Sequence, residues 1–334
     1  MTVLTLILGF LFGLTLRYAG LNKNNVIGGM ATLDNLTVSK AIAVAVGLGA
    51  ILINIEIAAG IASYHVKPLI MGGLIFGGIL FGAGMAILGY CPGTLAISLG
   101  EGSLDALLGI VGGFLGGIVY TLVLPGIQGI LGPDLGAVSL QSVVDNQILF
   151  FILVFLIGGV FIAAAFVINK SEKSKNFRWL VAGIALAILN TIVFSKFGSD
   201  RPIGASTAYP YTADAIAGLT NNDYFMKIQK PGNWELIFLT GAFLAGLAGS
   251  LLSKTFKIRL IYENWEKYKG ASTTKRAIWA FVGGFILIFG ARMAGGCTSG
   301  HILSGGMQIA FSSLLFAAVV FGSLLLTGKL FYKS

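Results

Sequence analysis

Long apolar stretches, separated by short polar or basic connections, run through almost the whole chain. They repeatedly reach the length of about 20 residues that a helix needs to cross a hydrocarbon core of about 30 Å. Several are too continuous for the one-sided stripe of a half-wet surface helix. The pattern predicts an all-α polytopic membrane protein with about nine spans, near residues 2–19, 39–62, 68–90, 104–124, 148–169, 178–196, 234–252, 277–296 and 309–328. Shorter hydrophobic segments lie between them. The opening MTVLTLILGF has no basic residue before Arg17, so the first segment reads as a retained span rather than a cleaved signal.

Composition narrows the class further. Of 334 residues, 56% are hydrophobic and 10% charged, against about 25% charged in an ordinary soluble domain. A water-exposed exterior cannot be built from this mixture, and membrane lipid is the expected solvent. The formal charge of +9 is concentrated in connections: Lys170, Lys173, Lys175 and Arg178 form one group, and Lys254, Lys257, Arg259, Lys267, Lys269, Lys275 and Arg276 another. Lys329 and Lys333 close the chain, whereas the connection 125–147 holds Asp134 and Asp145 with no lysine or arginine. The positive-inside tendency then assigns a cytoplasmic carboxyl terminus and an external amino terminus. This topology accounts for the charge without a nucleic-acid partner.

Two passages resemble one another. Residues 72–98 read GGLIFGGILFGAGMAILGYCPGTLAIS and residues 283–304 read GGFILIFGARMAGGCTSGHILS. Each carries a cysteine just after a span, Cys91 after the third and Cys297 after the eighth. An offset of five spans turns the second copy upside down, and inverted repeats commonly place a site at their interface near the midplane. The expectation is a first repeat over 1–147 and a second over 148–334, fused in one transmembrane domain. Both post-cysteine loops suit short re-entrant helices, with Pro92 at a first turn that needs no N–H from it. Segments 21–30 and 198–207 make a second matched pair, and four short helices entering from two faces predict an hourglass-like architecture. Glycines four apart, Gly73 and Gly77, Gly78 and Gly82, Gly112 and Gly116, are read as close helix packing.

The candidate chemistry gathers at the two cysteine loops. Cys91, Pro92, Gly93 and Thr94 form one; Cys297, Thr298, Ser299 and His301 form the other. Exposed amides at a helix start favour an anion, and a neutral thiol offers a weak donor and a soft, polarizable surface. The combination suits a small sulfur-bearing anion better than a sugar or a hard cation. Arg201 and Arg292 supply charge along the path. Asn54 and Glu56 within the second span are costly facing lipid, and Glu56 is read equally as a structural partner or a proton-coupling group. Two cysteines and two histidines, His65 and His301, are too few for a metal site. No nucleotide-binding loop, zinc-protease motif or nucleophile elbow occurs, so an ATP-driven pump, a cofactor-dependent oxidoreductase or another enzyme is a poor reading.

Gly89-Tyr90-Cys91-Pro92-Gly93-Thr94, Gly295-Gly296-Cys297-Thr298-Ser299-Gly300-His301 and Arg201-Pro202-Ile203-Gly204-Ala205-Ser206-Thr207 closely resemble the YeeE/YedE sulfur-transport family over almost the whole chain. The resemblance implies a bacterial inner-membrane transporter of hourglass form that takes up thiosulfate or a related sulfur species, with its central cysteines at Cys91 and Cys297. Family members that take up thiosulfate can carry a further cysteine in the first re-entrant segment, where this chain has Leu21-Asn22-Lys23-Asn24. The departure points to altered selectivity or to an external site built from Asn22 and its neighbours. The resemblance also implies a TusA-like cytosolic sulfur carrier as partner. Three other readings stay open: transport of a different sulfur or selenium species, a membrane sulfurtransferase forming a persulfide on Cys91 or Cys297 with His301 as the activating base, and a nonconducting membrane scaffold for sulfur-transfer proteins.

Overall fold

The computed structural model describes residues 2–172 and 176–332. The chain is all-α: α1 (Thr2–Ala19), α2 (Asn24–Thr32), α3 (Thr37–Ala58), α4 (Met71–Leu88), α5 (Pro92–Gly100), α6 (Leu104–Leu131), α7 (Leu140–Val143), α8 (Gln147–Glu172), α9 (Arg178–Phe194), α10 (Ala208–Ile216), α11 (Asp223–Leu252), α12 (Glu263–Lys269), α13 (Thr273–Met293) and α14 (Phe311–Tyr332), with a π-helical segment at Thr298–Gly305 before α14. Among the described residues no strand forms, and only isolated bridges such as Ile70 with Asp134 tie loops together.

Among the described residues, eight stretches are helical, long and apolar enough to cross a membrane, against about nine expected from the sequence. The difference is the expected span 178–196, which is the 17-residue apolar helix α9. Its carboxyl end is set at Ser195, where the chain turns to bridge Ala62. Two other elements outrun their expected bounds. Helix α6 continues through Pro125 to Leu131, and α11 begins at Asp223 and carries Pro231 inside it. Large apolar side chains on the outer faces, among them Ile148, Leu156 and Val160 of α8, remain exposed. In an otherwise helical, charge-poor protein that surface is matched to hydrocarbon rather than water.

Packing pairs helices that are distant in sequence. Helix α1 lies on α11, and α3 lies on α8 and α9; α4 lies on α13 and α14, and α6 on α13 and α10. The glycine pattern explains how closely they approach. A Cβ on Gly84 would lie 2.5 Å from the Leu287 amide, and one on Gly290 would lie 2.6 Å from the Phe81 amide, so α4 and α13 meet backbone to backbone. Gly73 and Gly77 face α13, while Gly78 and Gly82 face α14, as four-residue spacing on one helix surface allows.

One end of the assembly is held by buried charge. Arg276 Nη2 pairs with Asp105 Oδ2 at 2.5 Å and also donates to the Leu88 carbonyl at 2.7 Å. The last carbonyls of α4 thereby gain partners that the helix itself cannot supply. The connection 253–272 lies on the face occupied by α2: Tyr268 donates to Asp34, the Asn264 amide donates to Asn25, and Arg17 reaches Ser253. Of the basic positions used in the sidedness argument, Lys173, Lys175 and Lys333 lie outside the described residues.

Candidate functional site

The two cysteine loops start from the same local device. Helix α4 stops at Gly89 (φ 79°) and α13 is followed by Gly295 (φ 72°), both left-handed positions that glycine adopts without strain. Two residues later, in each case, stands the cysteine. Cys91 caps α5: its amide donates to Thr94 Oγ1 at 2.9 Å, and the Thr94 hydroxyl lies 3.0 Å from the Cys91 carbonyl and 3.5 Å from its sulfur. Cys297 opens the π-helical segment, its carbonyl accepting from the His301 amide at 2.8 Å. The wider winding differs from the expected short α-helix, and such turns occur frequently at functional sites.

These two helix starts come together inside the protein. A cavity of about 70 Å³ is lined by Cys91 and Thr94 from one loop and by Thr298, Ser299 and Leu303 from the other, with Phe12, Met85 and Leu186 among its apolar walls. That is several times the roughly 10–15 Å³ a single water needs. Thr298 is within hydrogen-bonding reach of the Cys91 thiol, and the two cysteines are near enough to interact electrostatically. Cys297 is 1% exposed, just behind the cavity wall, whereas Cys91 is partly open. Tyr209 of α10 faces both thiols and donates its hydroxyl to the Pro92 carbonyl at 2.8 Å. Gly93 packs toward Phe12 and Ala205.

Beside Cys297 lies a group of cations. Lys67, in the connection between α3 and α4, donates to the Gly295 carbonyl and sits against Gly296. Burial, then the charge of Arg292, holds its ammonium below the ordinary lysine range, and Arg201 adds to the repulsion. Arg201 stacks on Trp234 at 4.3 Å and pairs with Glu235 at 3.5 Å. Among the described residues, buried Arg292 has no carboxylate within salt-bridge distance. It donates to Tyr224 at 2.7 Å, to Thr207 at 3.1 Å and to Ser206 at 3.4 Å. Glu235 thus faces three cations, leaving positive charge next to a cysteine at a helix start.

A family model described as Sulphur transport matches residues 23–326. The chain belongs to this sulfur-transport family. It is also similar to the thiosulfate transporter TsuA of Spirochaeta thermophila, 26% identical over 332 residues that cover 93% of each protein. Membership classes the protein with transporters of sulfur species rather than with enzymes, as a multi-pass inner-membrane protein.

Against that role, the candidate residues separate into two groups. Cys91, Thr94, Thr298 and Ser299 line one cavity, with Pro92 and Gly93 following Cys91 and Cys297 preceding Thr298 in the chain, and Lys67, Arg201 and Arg292 gather near Cys297. His301 is fully buried, and both ring nitrogens are engaged, Nδ1 with Ser313 Oγ at 3.1 Å and Nε2 with the Ala294 carbonyl at 2.8 Å. It locks the loop and has no free nitrogen to activate a thiol. Asn54 ties α3 to the Met307 carbonyl and accepts from Tyr64, away from the cavity. Glu56 sits half-buried in the last turn of α3. Asn22 is fully buried against Ser98 and Glu101, at the far end of α5 from Cys91. Glu101 in turn meets the basic connection 253–272, its carbonyl accepting from the Lys257 amide. Among the described residues no cluster of three or more metal-ligating side chains occurs. Sequence reasoning missed Lys67 and Tyr209. Each reaches the site from another part of the chain, and only the expectation that α10 and the α3–α4 connection meet the cysteine loops would have found them.

Proposed function

We propose that this protein carries intact thiosulfate into the cell between two inverted halves, using Cys91 and Cys297 as transient binding stations. The observation that carries the reading is the shared cavity, lined from the starts of the two cysteine-bearing helical segments. Backbone amides at those starts stabilise anionic charge. The thiols supply weak S–H contacts and a soft surface for the terminal sulfur, so the ion is handed on rather than held. Lys67, Arg201 and Arg292 draw the dianion toward Cys297. The name of the Spirochaeta thermophila relative supports thiosulfate as the cargo.

The helix pairing supports the inverted repeat of 1–147 and 148–334 and the hourglass form. Exchanging α1 with α9, α3 with α11, α4 with α13 and α6 with α14 turns the α1–α11 contact into α9–α3, and the α6–α13 contact into α14–α4. The α4–α13 contact maps onto itself. With the basic connections cytoplasmic, the carboxyl terminus is cytoplasmic, Cys297 is approached from outside and Cys91 opens toward the cytoplasm. A TusA-like sulfur carrier would meet the protein on that basic face. The persulfide reading loses its base, because His301 is fully hydrogen-bonded.

Substrate discrimination tests this. Sulfate and thiosulfate are compact dianions that feel the same helix-end and cationic fields, but only thiosulfate presents a terminal sulfur to the thiols. Unlabelled thiosulfate is expected to inhibit labelled thiosulfate uptake about tenfold more effectively than sulfate, the consequence of about 1.4 kcal/mol from opposed S–H contacts. Initial rates in proteoliposomes at fixed voltage give the comparison. Equal inhibition by sulfate rejects sulfur-specific recognition and leaves a general anion pathway. Selenium-containing analogues are expected to compete as well, because the argument rests on softness.

A further inference from the structure

Carboxylates inside the helical body are mostly matched with cations. Asp105 pairs with Arg276, Glu101 with Arg17 and Lys23, Glu172 with Lys40, and Glu235 with Arg201. Asp214 of α10 breaks the pattern. It is fully buried, and among the described residues no lysine, arginine or histidine nitrogen lies within 4 Å of its carboxyl group. Its Oδ2 accepts from Thr121 Oγ1 at 2.7 Å, while Oδ1 is buried with no partner. A short α10 set between Gly117 of α6 and Gly232 of α11 holds it there.

The complementary irregularity is one step away. Arg292 is a buried guanidinium whose side-chain partners are all neutral hydroxyls, and its charge is close enough to act on Asp214. The titratable or charged groups facing Asp214 are Tyr224 from α11 and Arg292 from α13, with Tyr120 of α6 packed edge-on against Tyr224 at 5.3 Å. Lys67, Arg201 and Glu235 surround Arg292 on its other side. A buried acid without a cation and a buried cation without an acid therefore share one layer, joined through Tyr224.

We propose that Asp214 is a proton-binding site coupled to the anion that Arg292 attracts, so that a proton travels with thiosulfate. Burial favours the neutral acid, whereas the field of Arg292 favours the carboxylate. A dianion arriving at Arg292 offsets that field, so Asp214 takes up a proton from the outer side; departure of the anion restores the field and releases the proton. Charge balances as one dianion and one proton, a net movement of one negative charge instead of two against an inside-negative voltage. Glu56, which also forms no salt bridge among the described residues, lies only half-buried at the end of α3 and outside the Arg292 group.

The inference rests on the transport reading, and one experiment separates the two. Proteoliposomes containing the full chain, with voltage clamped by potassium and valinomycin and a pH-sensitive dye inside, receive labelled thiosulfate. The wild type is expected to acidify the lumen in step with label entry, and to take up label faster as the outside is made more acidic. Asp214→Asn is expected to lose acidification and the pH dependence together while still exchanging internal for external thiosulfate, and Asp214→Glu to regain acidification. Label entry by the wild type without acidification overturns the coupling and leaves transport standing, as does undiminished acidification by Asp214→Asn. No label entry by the wild type overturns the transport reading and the coupling with it.

Discussion

Alanine at Cys297 is expected to lower the initial rate of thiosulfate uptake by at least about tenfold, the effect of about 1.4 kcal/mol at the rate-limiting step. Alanine at Cys91 is expected to do the same. Cys297 is 1% exposed behind the cavity wall and Cys91 partly open to it, so on the proposed path each thiol would stand where the anion passes and water does not easily substitute. Removing one sulfur atom from such a place costs little stability, because the helix stops at Gly89 and Gly295 and the Thr94 and His301 bonds to backbone remain. Membrane abundance and a monodisperse profile in detergent check that the variants are intact. Serine keeps a donor but loses softness, and is expected to recover only part of the rate. Full activity in both serine variants would show that hydrogen bonding alone suffices, and full activity in both alanine variants would remove the thiols from the path.

Asp105→Ala should be the most destabilising single change in the structure. It strands the Arg276 guanidinium, which is fully buried beneath Trp265 at 4.7 Å and pinned to the Ile87 and Leu88 carbonyls. Breaking one side of a buried pair costs about 3–5 kcal/mol. The damage is directed at Cys91, because the same guanidinium and Asn24 hold the last turn of α4 just before the cysteine loop. Membrane abundance should fall several-fold, and the surviving protein should unfold at lower temperature. The double replacement Asp105→Leu with Arg276→Met removes both charges and should recover stability relative to Asp105→Ala alone. Thermal unfolding of the purified variants decides: an Asp105→Ala protein as stable as the parent would mean that the pair does not hold α4.

The membrane class was legible because twenty-residue apolar runs and the missing charges report burial in lipid directly. Glycine spacing was legible for a similar reason, since residues four apart share a helix face whatever that face meets. Helix α9, expected over 178–196, is a 17-residue apolar helix that ends at Phe194, because the backbone turns at Ser195 to bridge Ala62. The cysteine loops stood out through their mutual likeness. Lys67, Tyr209 and Asp214 did not, because each gains meaning only from partners brought by other helices: Lys67 from Gly295, Tyr209 from Pro92, and Asp214 from Thr121 and the nearby Arg292. The surroundings of His301 were not legible, since sequence does not reveal that Ser313 and the Ala294 carbonyl occupy both its nitrogens. Asn22 is engaged with Ser98 and Glu101, a role its neighbours in sequence do not announce.

The most direct test of passage through the two thiols follows the bond between the sulfur atoms of the substrate. Purified protein in sealed liposomes, without any cytosolic carrier, is given thiosulfate carrying distinguishable labels on its two sulfur atoms. Intact ion inside, with both labels in the original connectivity and no net change in the protein's cysteines, is the predicted result. Labelled sulfur retained on Cys91 or Cys297, with sulfite released and no ion inside, would contradict it.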